Sequence, residues 1–208
     1  MPRVAFVTFG ILREAGGHPQ VQGFYDRNMA VFAASGSSHG HIGHHGDAHV
    51  DLRSYNVGVE GDRFGAYSTG RFVTPEFAGR EAQTLSVWTD LDAVFAFAYG
   101  ALHLEALRLR TDWFLRPDWP TYAAWWVADD HWPDWREANA RLEHLHDHDH
   151  GASAFAFDFR SPYDPDGRST RLDRRRVAES RPRPEGVEDG MPSERQESDS
   201  PAEQTANC

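Results

Sequence analysis

The densest group of side chains able to do chemistry lies between Tyr99 and His131. If residues 102–115 are helical, His103, Leu107, Arg110 and Phe114 fall at i, i+4, i+7 and i+11 and share one face. An imidazole and a guanidinium on an apolar, aromatic face need partners, because an unpaired buried charge is costly. Two arrangements answer that need. The face borders a cavity in which Arg110 holds an anionic or carbonyl group and His103 exchanges protons, a role suited to imidazole near neutral pH. Alternatively, the two form a structural pair that ties the helix to a sheet. Tyr99, Trp113, Phe114, Trp125 and Trp126 are the aromatic residues placed to line such a cavity, and His131 stands at a strand end beside it. Adjacent residues on a strand point to opposite faces, so one of Trp125 and Trp126 packs under helices and the other faces away.

Nine of the ten remaining histidines form two clusters. His39, His41, His44, His45 and His49 fall in one segment, and His144, His146, His148 and His150 in another. His39 and His41 on a strand would face one side. Neither cluster has the spacing of His-Glu-x-x-His, so weak binding of Zn, Ni or Cu is expected rather than a catalytic metal. There is no Walker loop, no G-x-G-x-x-G after a strand and no G-x-S-x-G elbow, which removes the familiar nucleotide and acyl-hydrolase readings. The chain has no lysine, so lysine-tethered pyridoxal chemistry is excluded. Its one cysteine, Cys208, excludes disulfide frameworks and thiolate metal sites. No cofactor is therefore expected from the motifs.

The elements that must position these residues follow from patterning. Residues 3–9 and 82–88 read as strands, as do Tyr122–Val127 and the alternating 153–159, with at most a short strand near His41–His45. Helices are expected over about 19–34, with Val21, Phe24, Tyr25, Asn28 and Phe32 as the stripe, then from Leu91 and over about 102–115, the last two parted by Gly100. Another follows Pro133, with Trp135, Ala138, Leu142 and Leu145 on one face. The order β-α-β, a long loop, then β-α-α-β-α-β indicates an α+β fold, a sheet with helices on one face. The other face would be apolar, and pairing it across a homodimer would bury it. The 208 residues suit one domain. All seven Trp lie between Trp88 and Trp135, so the domain is drawn over 1–160. Residues 161–208, rich in Arg, Pro, Ser and acids, are expected to be a disordered tail. The formal net charge of −11 argues against nucleic acid and anionic membrane as partners. With no apolar run long enough for a signal or a span, a cytoplasmic location is expected.

The ordered set Val4-Ala-Phe-Val-Thr-Phe-Gly10, Gln22-Gly23-Phe24, Arg27, Thr84-Leu-Ser-Val-Trp88, Phe95-Ala-Phe97-Ala-Tyr99, His103, Arg110, Trp113-Phe114, Trp125-Trp126, His131, Arg141-Leu142 and Ala154-Phe-Ala-Phe157 resembles a bacterial domain-of-unknown-function family, number 3291. That family looks like the dimeric α+β barrels of antibiotic-biosynthesis monooxygenases, and the resemblance spans roughly residues 3–166. It implies a ferredoxin-like half that pairs with a second copy, and no assigned reaction. The family's usual Pro-Gly-Phe-Ile-Trp-Arg segment reads Ser38-His39-Gly40-His41-Ile42-Gly43-His44 here, so His41 or His44 takes the place of a bulky aromatic. Two functions follow as expectations. One is a cofactor-independent monooxygenase-like or cyclising enzyme acting on a small aromatic or polyketide-like molecule, with His103 and Arg110 as catalytic residues. The other is a non-catalytic small-ligand-binding or assembly protein, with a haem-binding enzyme as a minor variant.

Overall fold

The computed structural model describes residues 1–45, 63–148 and 153–181. His49, His150 and the segment 182–208 lie outside them. The described chain is an α+β fold of four strands and five helices: β1 (Arg3–Ile11), α1 (Pro19–Ser37), β2 (His41–His44), β3 (Glu81–Trp88), α2 (Leu91–Ala98), α3 (Ala101–Trp113), β4 (Tyr122–Val127), α4 (Trp135–Asp147) and α5 (Arg174–Ser180). The strands form one antiparallel sheet in the order β2-β3-β1-β4.

Local chemistry sets the boundaries. Pro19 opens α1, where its missing N–H costs nothing. Asp90 and Asp134 cap α2 and α4 by accepting from the backbone N–H of Ala93 and Glu137 at 2.9 and 2.7 Å. Tyr99 and Gly100 separate α2 from α3, with Gly100 as the N-cap of α3.

The sheet is buried from both sides. Ala5, Val7, Phe9 and Ile11 of β1, with Leu85, Val87, Ala123, Trp125 and Val127, pack against Trp135, Ala138, Leu142 and Leu145 of α4. The opposite alternation, Val4, Phe6, Trp88 and Ala124, packs against Leu91, Ala93, Val94 and Ala98 of α2. The expectation of helices on one face is therefore corrected. The amphipathic stripe of α4, with Phe64 and the partly buried Tyr67, Phe72 and Phe77, covers the face that a second copy was expected to cover. Removing one of its anchors, as in Leu142→Ala, would cost about 2–5 kcal/mol.

Two further expectations change. Residues 153–159 alternate but make only an isolated bridge, Phe157 with Ala124, among the described residues. A turn takes the Ser153 N–H to the Ala156 carbonyl, and Arg141 binds the Phe155 carbonyl, so those backbone groups are not free for a ladder. The fold also runs past residue 160. Val177 of α5 is buried, Tyr163 and Leu172 pack on the α2-side core, and the Asp173 N–H donates to Asp92 Oδ1 at 2.8 Å. A few apolar anchors in a polar segment suffice, because α2 offers them a preformed surface.

Candidate functional site: a hydroxyl row on the α2 face

The registers put Thr84, Thr8 and Tyr122 side by side across β3, β1 and β4. Their even positions on β1 and β4 turn them toward the α2 face. β1 and β3 are the inner strands, yet all three residues are only half-buried, while their neighbours Val7, Leu85 and Ala123 on the other face are fully buried. The face is open there because α1 and α3 pack chiefly on each other and α1 reaches the sheet along β2. Arg27 of α1 binds Glu105 of α3 at 3.2 Å, and its guanidinium lies 5.4 Å from the Trp113 ring.

Aromatic rings enclose the row. Below it, the Phe114 ring lies over Gly10: a Cβ at Gly10 would meet Phe114 Cδ1 at 2.6 Å, so only glycine admits that ring. Phe24 of α1 meets Phe114 edge-on at 5.1 Å. Above it, Phe6, Phe159 and Tyr122 stack with centroids 5.2–5.9 Å apart. Tyr99 joins this group 6.2 Å from Phe159. The Thr8 and Thr84 hydroxyls are 2.6 Å apart and bond one another. Burial, then the neighbouring Tyr99 and Asp158, push the Tyr122 phenol up, so it stays a neutral donor at physiological pH.

His103 sits at the same α2–α3 junction as Tyr99. Its ring lies 5.3 Å from Phe97, which stacks on Trp88 at 5.1 Å. Nδ1 is 2.6 Å from the Ala98 carbonyl. A carbonyl only accepts, so Nδ1 carries the proton and Nε2 carries the lone pair. Burial lowers the pKa of His103 against the opposing pull of the Ala98 carbonyl, so the ring is neutral at pH 7. Trp88 of β3 faces β2, where His41 lies 5.0 Å from it and 5.4 Å from His44. An irregularity in the β2–β3 register between His41 and Gly43 sets His41 opposite Trp88 and His44 opposite Ser86, so both occupy the α2 face. His39 precedes the strand and is exposed.

The expected residues thus divide. Tyr99 and Phe114 border the row. Arg110 does not join His103: it is exposed in the last turn of α3, and its Nη1 donates to the Leu107 carbonyl at 3.3 Å. Two turns of helix, about 10 Å, part it from His103, and its cation suits the helix C-terminus. Trp113 is buried against α1. Trp126 donates from Nε1 to the Tyr163 carbonyl at 2.7 Å, which spends its polar atom on the fold.

Trp125 and His131 meet on the α4 face instead, through Glu137. Glu137 Oε1 accepts from Trp125 Nε1 at 2.8 Å and from Arg141 Nη2 at 2.7 Å, while Oε2 accepts from His131 Nε2 at 2.7 Å. Burial works against the Glu137 charge, but His131 and Arg141 outweigh it and hold the carboxyl below its usual range. The Glu137–Arg141 pairing was readable as an i,i+4 spacing. The hydroxyl row was missed. Its signal was the pair of threonines, Thr8 and Thr84, each on the alternation that also carries Val4 and Phe6 or Ser86 and Trp88.

No group of three or more His, Cys, Asp or Glu able to hold a metal occurs among the described residues, and no helix there is long and apolar enough to cross a membrane. No curated protein and no solved structure was found to match the chain. A family model described as "Domain of unknown function (DUF3291)" matches residues 3–174, and by this match, which spans β1 to the first residue of α5, the chain belongs to that family.

Proposed function

We propose that this chain binds a small, planar, mostly apolar molecule on the α2 face, its polar group hydrogen-bonded to the row Thr84–Thr8–Tyr122. One observation carries the reading: three hydroxyls in adjacent register stay half-buried beside inner strands, where apolar residues would otherwise close the core. Aromatic walls with a few convergent polar groups are the usual make-up of small-molecule sites. The row itself is uncharged, which favours a neutral ligand. Binding of 2-naphthol and of naphthalene, followed by tryptophan fluorescence, tests this. The hydroxylated probe should bind at least tenfold tighter, and the double variant Thr8→Val/Thr84→Val should lose that advantage. Equal binding of the two probes to the unaltered chain overturns the reading.

A catalytic version, cofactor-independent oxygenation or cyclisation of an aromatic molecule, draws support from His103. Its fixed tautomer and lowered pKa make Nε2 a ready proton acceptor at neutral pH. His103→Gln should then abolish turnover while leaving probe binding within threefold. A Soret band in the purified protein would replace this version with the haem one. The connection order β-α-β-β-α-β with sheet order β2-β3-β1-β4 supports the ferredoxin-like half of the expected barrel. Pairing of two halves through the α4 face draws no support, because α4 occupies that face.

A further inference from the structure

We propose that His144 and His148, near the C-terminal end of α4, form a two-imidazole site for a divalent transition-metal ion, with Cu²⁺ bound most tightly. The site is separate from the hydroxyl row on the α2 face and does not rest on it. His144 lies in the last turn of α4 and His148, four residues on, is the helix C-cap, so the two imidazoles meet at the helix end, a spacing close to that by which paired helical histidines grip zinc. Their ring centroids are 4.1 Å apart with planes tilted by 32°. His148 Nδ1 lies 2.8 Å from the His144 carbonyl. That carbonyl only accepts, so Nδ1 is protonated and the His148 Nε2 lone pair is fixed for an ion. Metal-bound histidines ordinarily have this second bond to a carbonyl, which sets the tautomer and the ring plane. His144 is held from the other side by the Phe155 ring at 4.8 Å, with Ser153 Oγ 3.2 Å from its Nε2. The serine hydroxyl can turn to offer its own oxygen when that nitrogen takes an ion.

The neighbouring carboxylate does not compete. Asp147 is engaged by the Arg71 guanidinium through both oxygens. The donor set is therefore two neutral nitrogens completed by water, which suits Cu²⁺, Ni²⁺ and Zn²⁺ rather than Mg²⁺ or Ca²⁺, and the Irving–Williams order puts Cu²⁺ first. The chain's other histidines are the source of background binding, so the test is the difference that single substitutions make. Isothermal titration with CuCl₂ at pH 7.5, together with electron paramagnetic resonance of the one-to-one complex, should give one tightest ion with two nitrogen ligands. His148→Ala and His144→Ala should each weaken it at least tenfold. His146→Ala should leave it unchanged, because His146 points instead at the Phe72 ring 5.2 Å away. His148 is exposed, so its removal leaves the fold intact, and unchanged circular dichroism checks that. Copper affinity that survives His148→Ala within threefold overturns the proposal, as does an equal loss in His146→Ala.

Discussion

Replacing Glu137 tests whether the α4 face is held by one shared carboxylate. In Glu137→Ala, the Trp125 indole N–H loses its acceptor inside a residue with 0% exposure. A buried unsatisfied donor costs about 1–3 kcal/mol. Arg141, 16% exposed, loses its ion partner while still stacked 5.4 Å from Trp125 and 3.8 Å from Phe155. Its partial exposure limits that part to about 1–2 kcal/mol, below the value for a fully buried pair. His131 is half-exposed and adds little. The sum is about 3 kcal/mol. Glu137→Gln keeps an acceptor for Trp125 and removes only the charge, so about 1 kcal/mol is expected. Urea denaturation at pH 7 measures both. Trp125→Phe in the Glu137→Ala background removes the orphaned donor, so a double-mutant cycle should return a coupling of at least 1 kcal/mol. The pH dependence has a fixed sign. The folded carboxyl is depressed below the unfolded value near 4.5. Its contribution is therefore present above that value and lost as pH falls below it toward the folded pKa. Stability of Glu137→Gln should fall less steeply than that of the parent below pH 4.5. A cost under 1 kcal/mol for Ala, or equal costs for Ala and Gln, would refute the shared-carboxylate account.

The site and the boundaries yield further expectations. Thr8→Val/Thr84→Val removes both partners of a 2.6 Å hydrogen bond at once, so folding stability should stay within about 1 kcal/mol while the preference for naphthol over naphthalene is lost; a large loss of stability would make the pair structural. Gly10→Ala drives a methyl into Phe114 and should destabilise by about 1–3 kcal/mol, with Phe114→Leu in the same chain restoring most of it. Absence of that rescue would mean that the ring does not lie over Gly10. A chain ended after Arg160 loses Tyr163, Leu172 and Val177 from the α2-side packing and should melt roughly 5–10 °C lower by calorimetry. An unchanged Tm would place the end of the fold where the composition alone put it.

Periodicity made the elements legible. Trp135, Ala138, Leu142 and Leu145 were readable as one stripe and are all buried, and the Gly100 break and the strand at Tyr122–Val127 fall where spacing put them. Pattern alone did not say which side-chain groups would be spent on the backbone. The alternation at 153–159 fits a strand, but Arg141 takes the Phe155 carbonyl from fourteen positions away, a pairing no local pattern encodes. His103 and Arg110 share a helical face by arithmetic. The face runs off the end of the helix, however, and the cation there binds the Leu107 carbonyl of its own helix rather than a partner imidazole. Trp125 and Trp126 were correctly assigned to opposite faces, but each indole N–H is already committed, to Glu137 and to Tyr163. A sequence names polar atoms without showing which of them remain unspent.

The alternation along β1 therefore separates two roles. Ala5, Val7, Phe9 and Ile11 face a layer sealed by α4 within the same chain, so that side needs no second copy to bury it. Substitutions there act through packing, and their cost follows the volume removed. Thr8 and Gly10 occupy the other alternation, between the α2 core and the α1–α3 pair, where no helix among the described residues closes over Thr8. Filling that gap with apolar side chains would bury more surface. Thr8 and Thr84 satisfy one another by a hydrogen bond, which returns little net stability compared with a packed methyl group. Local sequence choices normally agree with the packing around them, and departures concentrate where a function is served. Two threonines and a glycine on inner strands, under a ring that only glycine admits, are such a departure. It supports the proposed site on the α2 face better than do the histidine and arginine whose spacing first suggested one.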